Sequence, residues 1–119
     1  MMTSTNSFSK AMLYYLTWKV QLRRFLDGKG SISREEIASP ENCEFGKWLR
    51  SYELAKCASD LELRELMKVY GELHKTAKRI YELKLLGRDK AARQEFQNMV
   101  PMSTRLVTLL NAMKTLNRN

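Results

Sequence analysis

Residues Asp60–Leu86 read DLELRELMKVYGELHKTAKRIYELKLL, and the spacing within this stretch decides the architecture. Leu63, Leu66, Tyr70, Leu73, Ala77, Ile80 and Leu83 recur at intervals of three and four. A helix turns once every 3.6 residues, so this repeat lines one buried face. His74 follows Tyr70 by four residues and adjoins the same face. Asp60 is suited to capping the start of the helix. Gly87 is suited to ending it, because glycine tolerates the left-handed conformation of a helix terminus.

The same periodicity continues outward in both directions. On the C-terminal side, Asp89 opens a helix whose stripe is Ala92, Phe96, Met99, Ser103, Leu106, Leu110 and Met113. Pro101 falls inside it and predicts a kink or local break. On the N-terminal side, a helix is expected from Phe8 to Leu26. Its face is Phe8, Met12, Tyr15, either Trp18 or Lys19, Leu22 and Phe25, and Asp27-Gly28-Lys29-Gly30 ends it. Residues 1–7 are polar and unperiodic, as frayed ends are. In Ser33-Arg34-Glu35-Glu36 the spacing matches a capping box and predicts a helical turn closing near Ser39-Pro40. Phe45 to Arg50 should be a short helix with Phe45, Trp48 and Leu49 inward, whereas Tyr52 to Ser59 reads either way.

These elements make one all-α domain over residues 1–119, an antiparallel four-helix-type bundle with a short helix carrying Cys43. Strand-like alternation, a glycine-rich phosphate loop and internal repeats are absent from the sequence. The length fits one domain, and 44% hydrophobic residues suffice for a core. No apolar run approaches the roughly 18 residues a membrane span needs, so no membrane insertion is expected. The polar start lacks a signal-peptide core, which points to the cytoplasm, alone or as part of a longer protein. Two cysteines, Cys43 and Cys57, do not make a secreted disulfide framework, and both are expected to stay free.

The net charge of +8 is unevenly spread. Residues 1–60 carry 9 basic and 7 acidic side chains (+2), and residues 61–119 carry 12 and 6 (+6). Such an excess permits binding to nucleic acid, but a solvated helix surface is the plainer reading.

Between the first and second long helices lies Cys43-Glu44-Phe45-Gly46-Lys47-Trp48-Leu49. Tyr15-Leu16-Thr17-Trp18 precedes it, and Tyr70-Gly71-Glu72-Leu73-His74 follows. In this layout the chain resembles the chemoreceptor zinc-binding, or CZB, family. That family carries H-x-x-W, then C-x-[FL]-G-x-W-L, then H-x-x-x-H. The resemblance runs roughly from Tyr14 to Leu116. It implies a bacterial signalling domain of chemotaxis or cyclic-di-GMP systems, attached to chemoreceptors or diguanylate cyclases. It also implies a zinc ion held by three His and one Cys.

Mapped onto this chain, those ligand positions are Tyr15, Cys43, Tyr70 and His74. Only Cys43 and His74 keep ligand chemistry; a shifted register would put Tyr14 in place of Tyr15. Zinc sites take four donors, and phenol, with a pKa of about 10, is a poor one near neutrality. Two donors are too few for tight zinc. The expectation is therefore a polar core without a tightly held metal, each tyrosine hydroxyl meeting His74 or the Cys43 thiol. A weak site on Cys43 and His74 is the lesser reading. Cys43 has Lys47 one turn on, which favours thiolate reactivity, yet buried cysteine is commonly inert. Cys57 has no partner in the pattern. Trp18 and Trp48 read as core anchors.

The chain holds a single His, which cannot supply acid and base together, and no nucleophile stands at a recognisable spacing from a base. A non-enzymatic module is expected, acting through a protein partner such as a chemoreceptor or diguanylate cyclase component, or as a homodimer. The alternatives are a zinc or redox sensor using Cys43 and His74, and a basic nucleic-acid binder. The last would gather Lys75, Lys78, Arg79, Arg88, Lys90 and Arg93 on one face and bind with steep salt dependence. Only Tyr81 interleaves that set with a stacking ring, which counts against it.

Overall fold

Helix α1 spans Ser4–Leu26 and begins four residues ahead of the expected Phe8. Propagating a helix adds one backbone bond per residue fixed, so a packed segment extends into polar sequence that nucleates nothing itself. This computed structural model describes residues 4–30, 44–50 and 60–116. Beyond α1 these residues form α2 (Glu44–Leu49), α3 (Asp60–Leu85), α4 (Asp89–Asn98) and α5 (Val100–Leu116), with no strand among them. The expected capping box at Ser33, the ambiguous 52–59 stretch and both cysteines lie outside the described residues.

Two glycines stop α1 and α3 in the same way. Gly28 and Gly87 have φ of +75° and +77°. At the end of α1, the N–H of Lys29 reaches the carbonyl of Arg24 at 2.8 Å, and that of Gly28 reaches Phe25 at 3.1 Å. At the end of α3, Arg88 reaches Leu83 at 2.9 Å and Gly87 reaches Lys84 at 3.0 Å. Both are Schellman closures, which need a left-handed residue that glycine adopts without strain.

The third stripe is broken outright rather than bent. Pro101 has no N–H to donate to Gln97, and its ring crowds that carbonyl. The helix therefore ends at Asn98, Met99 bonds back to Phe96 at 3.1 Å, and Ser103 to Met99 at 2.8 Å carries the next turns.

Polar contacts fix the directions. Arg79 meets Glu95 and Arg105 meets Glu65, so α4 and α5 run antiparallel to α3. On the other side Arg93 meets Asp27 and Lys19 meets Ser103, so they run antiparallel to α1 as well. The broken rod α4–α5 thus lies along both long helices, and α2 packs against α1.

The core follows the expected stripes. Phe8, Tyr15, Trp18 and Leu22 of α1, Leu66, Tyr70, Leu73, Ala77 and Ile80 of α3, and Met99, Leu106, Leu110 and Met113 are buried. Trp18 takes the inward place and Lys19 stands half-buried beside it. Phe45 and Leu49 of α2 are buried, with Trp48 packed at the edge. Burying each large side chain stabilises by about 1.5–3 kcal/mol.

Candidate functional site

Two helical pairs spaced by four residues face the middle of the bundle. Tyr15 and Lys19 share a face of α1, with Trp18 beside them; Tyr70 and His74 share a face of α3. Helix α2 inserts Phe45 between the two tyrosines, at ring distances of 6.1 Å from Tyr15 and 5.0 Å from Tyr70. Tyr70 meets His74 edge-on at 4.6 Å. Trp18 covers the other side of His74 at 4.9 Å and reaches Tyr15 at 6.1 Å. Phe8 and Trp48 extend the cluster outward. His74 is only 3% exposed. Each such ring pair adds about 0.5–1.5 kcal/mol beyond its buried area.

Tyr15, Tyr70 and His74 therefore belong to one buried aromatic cluster, while Tyr14 is only partly buried. Cys43 lies outside the described residues, so its distance from His74 is not defined.

The hydroxyl of Tyr15 does not go where it was expected. It donates to Ser103 Oγ of α5, not to His74. Lys19 Nζ, one turn along α1, donates to the same oxygen at 3.1 Å. The reason is direction: α1 lies against α5 at this level, and Ser103 interrupts the apolar stripe with a buried hydroxyl that needs a partner. Burial raises the Tyr15 pKa above 10.0, partly offset by the Ser103 hydrogen bond, so the phenol stays protonated near neutrality. Ser103 and Lys19 were missed as site residues. The signal was present, since a serine in an otherwise apolar stripe must find a partner.

The described residues do not by themselves assemble a metal site. Among the described residues no three His, Cys, Asp or Glu side chains come together. The Tyr15 oxygen is engaged with Ser103. Trp18 Nε1, buried without a hydrogen-bond partner, is a donor only and cannot ligate a cation. His74 is the single imidazole of the chain.

Comparison with family models gives a match to the chemoreceptor zinc-binding domain over residues 16–81. The matched stretch is 66 of 119 residues and holds Trp18, the Cys43–Leu49 motif, Tyr70 and His74. It opens just after Tyr15 and closes before α4 and α5, short of the Leu116 limit expected from the motifs. Comparisons with curated proteins and with solved structures give no match. The motif, the helical order and the matched residues together place the chain in the chemoreceptor zinc-binding domain family, CZB.

Proposed function

We propose that this CZB domain is a non-enzymatic signal-transduction module that works through protein contact, with a partner or a second copy, and holds no zinc tightly. CZB domains serve chemoreceptor-associated signalling. A bacterial chemoreceptor or a diguanylate cyclase component in the cytoplasm is the partner class the family layout points to. No described helix is long and apolar enough to cross a membrane.

The observation that carries the reading is the engagement of Tyr15 with Ser103 at a position where the family places a ligand. The ring that replaces an imidazole is tied to α5, which leaves Cys43 and His74 as the donors a metal could use. Zinc held by two protein donors would exchange with buffer instead of locking the bundle.

A nucleic-acid role draws less support. Of its six cations, Arg79 is paired with Glu95 at 3.1 Å and Arg93 with Asp27 at 2.9 Å.

The test is zinc titration of metal-free protein by calorimetry, with native mass spectrometry for stoichiometry and assembly state. Weak or absent zinc binding is expected. Tight one-to-one zinc that disappears in Cys43→Ser would overturn the reading and favour a zinc or redox sensor.

A further inference from the structure

We infer that the cleft between the end of α1 and the α4–α5 junction is a binding site for a small organic monoanion, a carboxylate carried on a planar apolar body. The cleft measures about 400 Å³ and is lined by Arg23, Leu26, Arg93, Phe96, Gln97 and Val100. Ligand pockets commonly fall between about 300 and 1,000 Å³.

Its polar and apolar parts are separately placed. Leu26 is fully buried and, with half-buried Phe96, gives an apolar floor. Val100 is 53% exposed at the rim, an apolar side chain left to solvent. Arg23 and Arg93 come from different helices and meet on one carboxylate, Asp27. Arg93 Nη1 donates to Asp27 Oδ1 at 2.9 Å, and Arg23 Nε donates to Asp27 Oδ2 at 3.3 Å. The Arg23 guanidinium also lies over the Phe96 ring, 5.6 Å from its centre. These contacts hold Arg23 by its Nε and its face. Among the described residues its Nη groups have no hydrogen-bond partner, and their fork geometry suits a carboxylate.

Charge selects the ligand class. Two guanidiniums against one carboxylate leave one positive charge in the cleft. The hydrogen bond from Arg93 holds Asp27 below its ordinary range, so that carboxylate is ionised at neutrality. A monoanion completes the balance. A dianion would be repelled by Asp27, and a neutral molecule would leave the net positive charge unbalanced. The apolar floor and rim then favour a ligand with a ring behind its carboxylate. Arg93, Phe96, Gln97 and Val100 lie beyond the family match, so this inference stands apart from the fate of the zinc ligands.

Benzoate is the probe, with benzamide as its neutral counterpart and inorganic phosphate as an anion lacking the ring. Each is titrated into the full chain while backbone amide resonances are followed. Benzoate should move the amides of residues 23–28 and 93–100 and saturate, with a dissociation constant on the order of millimolar for so small a ligand. Benzamide and phosphate should bind at least about tenfold more weakly. Arg23→Gln alters an exposed side chain, should leave the rest of the spectrum in place, and should weaken benzoate about tenfold or more. Arg23→Lys, which keeps the charge without the fork, should fall between. Equal shifts from benzoate and benzamide, phosphate binding as well as benzoate, or unchanged benzoate affinity in both Arg23 variants would overturn the proposal.

Discussion

Tyr15 and Tyr70, the two tyrosines that the proposed mapping sets at histidine positions, are accommodated by the bundle in different ways. Tyr15 turns its hydroxyl to Ser103 on α5, where Lys19 joins it. Tyr70 packs its ring edge-on to His74 and against Phe45. The first position is held by a polar latch to a helix beyond the family match; the second is held by ring volume within it. A buried tyrosine can therefore be held by direction or by bulk. The two solutions should respond differently to mutation and to pH.

The largest effect is expected where volume does the holding. Tyr70→Ala removes a ring that is 5% exposed and in contact with His74 and Phe45. Truncating a buried aromatic leaves a cavity and costs about 3–5 kcal/mol. Urea unfolding followed by circular dichroism measures it. A loss below about 1 kcal/mol would mean that the neighbouring rings close the gap, and the distinction between latch and bulk would fail.

Conversion back to histidine asks whether the two positions are still equivalent. By the proposed mapping, Tyr15→His with Tyr70→His would supply two further nitrogen donors to join Cys43 and His74. Zinc binding only the native state would add about 2.7 kcal/mol at a hundredfold excess over its dissociation constant. Each single variant should gain little. The polar latch makes the exchange unequal, since Tyr15→His gives up the bond to Ser103 whereas Tyr70→His gives up packing. Thermal unfolding with and without zinc reads the gain. An unchanged midpoint in a well-folded double variant would show that the position of Tyr15 has drifted from a ligand geometry.

Most of the fold was legible in the sequence because it rests on periodicity. The stripes through Leu66, Leu73 and Ile80, and through Leu106, Leu110 and Met113, appear as buried faces. Gly28 and Gly87 end their helices as their chemistry requires. Pro101 marked its break to within two residues, because a missing N–H acts locally. Membership of the family was legible from Cys43–Leu49 with Trp18 and His74. The polar contacts were not. Periodicity says which face is buried, but not which neighbouring helix stands opposite a given hydroxyl. Tyr15 was expected to meet His74 or the Cys43 thiol because the family layout brings those positions together, and Ser103 was passed over as one member of an apolar stripe. The Arg23–Asp27–Arg93 junction was hidden for the same reason, since it joins residues 66 positions apart.

A smaller effect separates the latch from the bulk more cleanly. Tyr15→Phe keeps the ring and loses one hydrogen bond, worth about 1 kcal/mol near neutrality. Its pH dependence carries the sign. Burial raises the Tyr15 pKa above 10.0, so the unfolded chain ionises first as the pH climbs. Stability from this group is complete below about pH 10 and is lost as the pH rises toward and through the folded-state value. Wild type should therefore lose stability in alkali more steeply than Tyr15→Phe. Parallel alkaline curves would mean that the hydroxyl reaches solvent and that the latch is not closed.

The smallest effect belongs to a second polar junction of α1, at Asp27. Its carboxylate accepts hydrogen bonds from Arg93 of α4 and from Arg23 of its own helix. The Arg93 hydrogen bond, with the charges of both arginines, lowers the Asp27 pKa from 3.8. For a lowered carboxyl, the stabilising contribution is present above the unfolded value and disappears as the pH falls through the folded one. Wild type should accordingly exceed Asp27→Asn slightly at neutral pH, and the two should converge in acid below the usual carboxylate range. The difference should also shrink with added salt, because all three charged groups reach solvent and screening acts on them directly. Urea midpoints at neutral and acid pH, each at low and high salt, make the comparison. A difference that persisted in acid would assign the effect of Asp27 to packing at the helix end, not to charge, and the Ser103 latch of Tyr15 and Lys19 would then carry the polar hold of α1 on the broken rod.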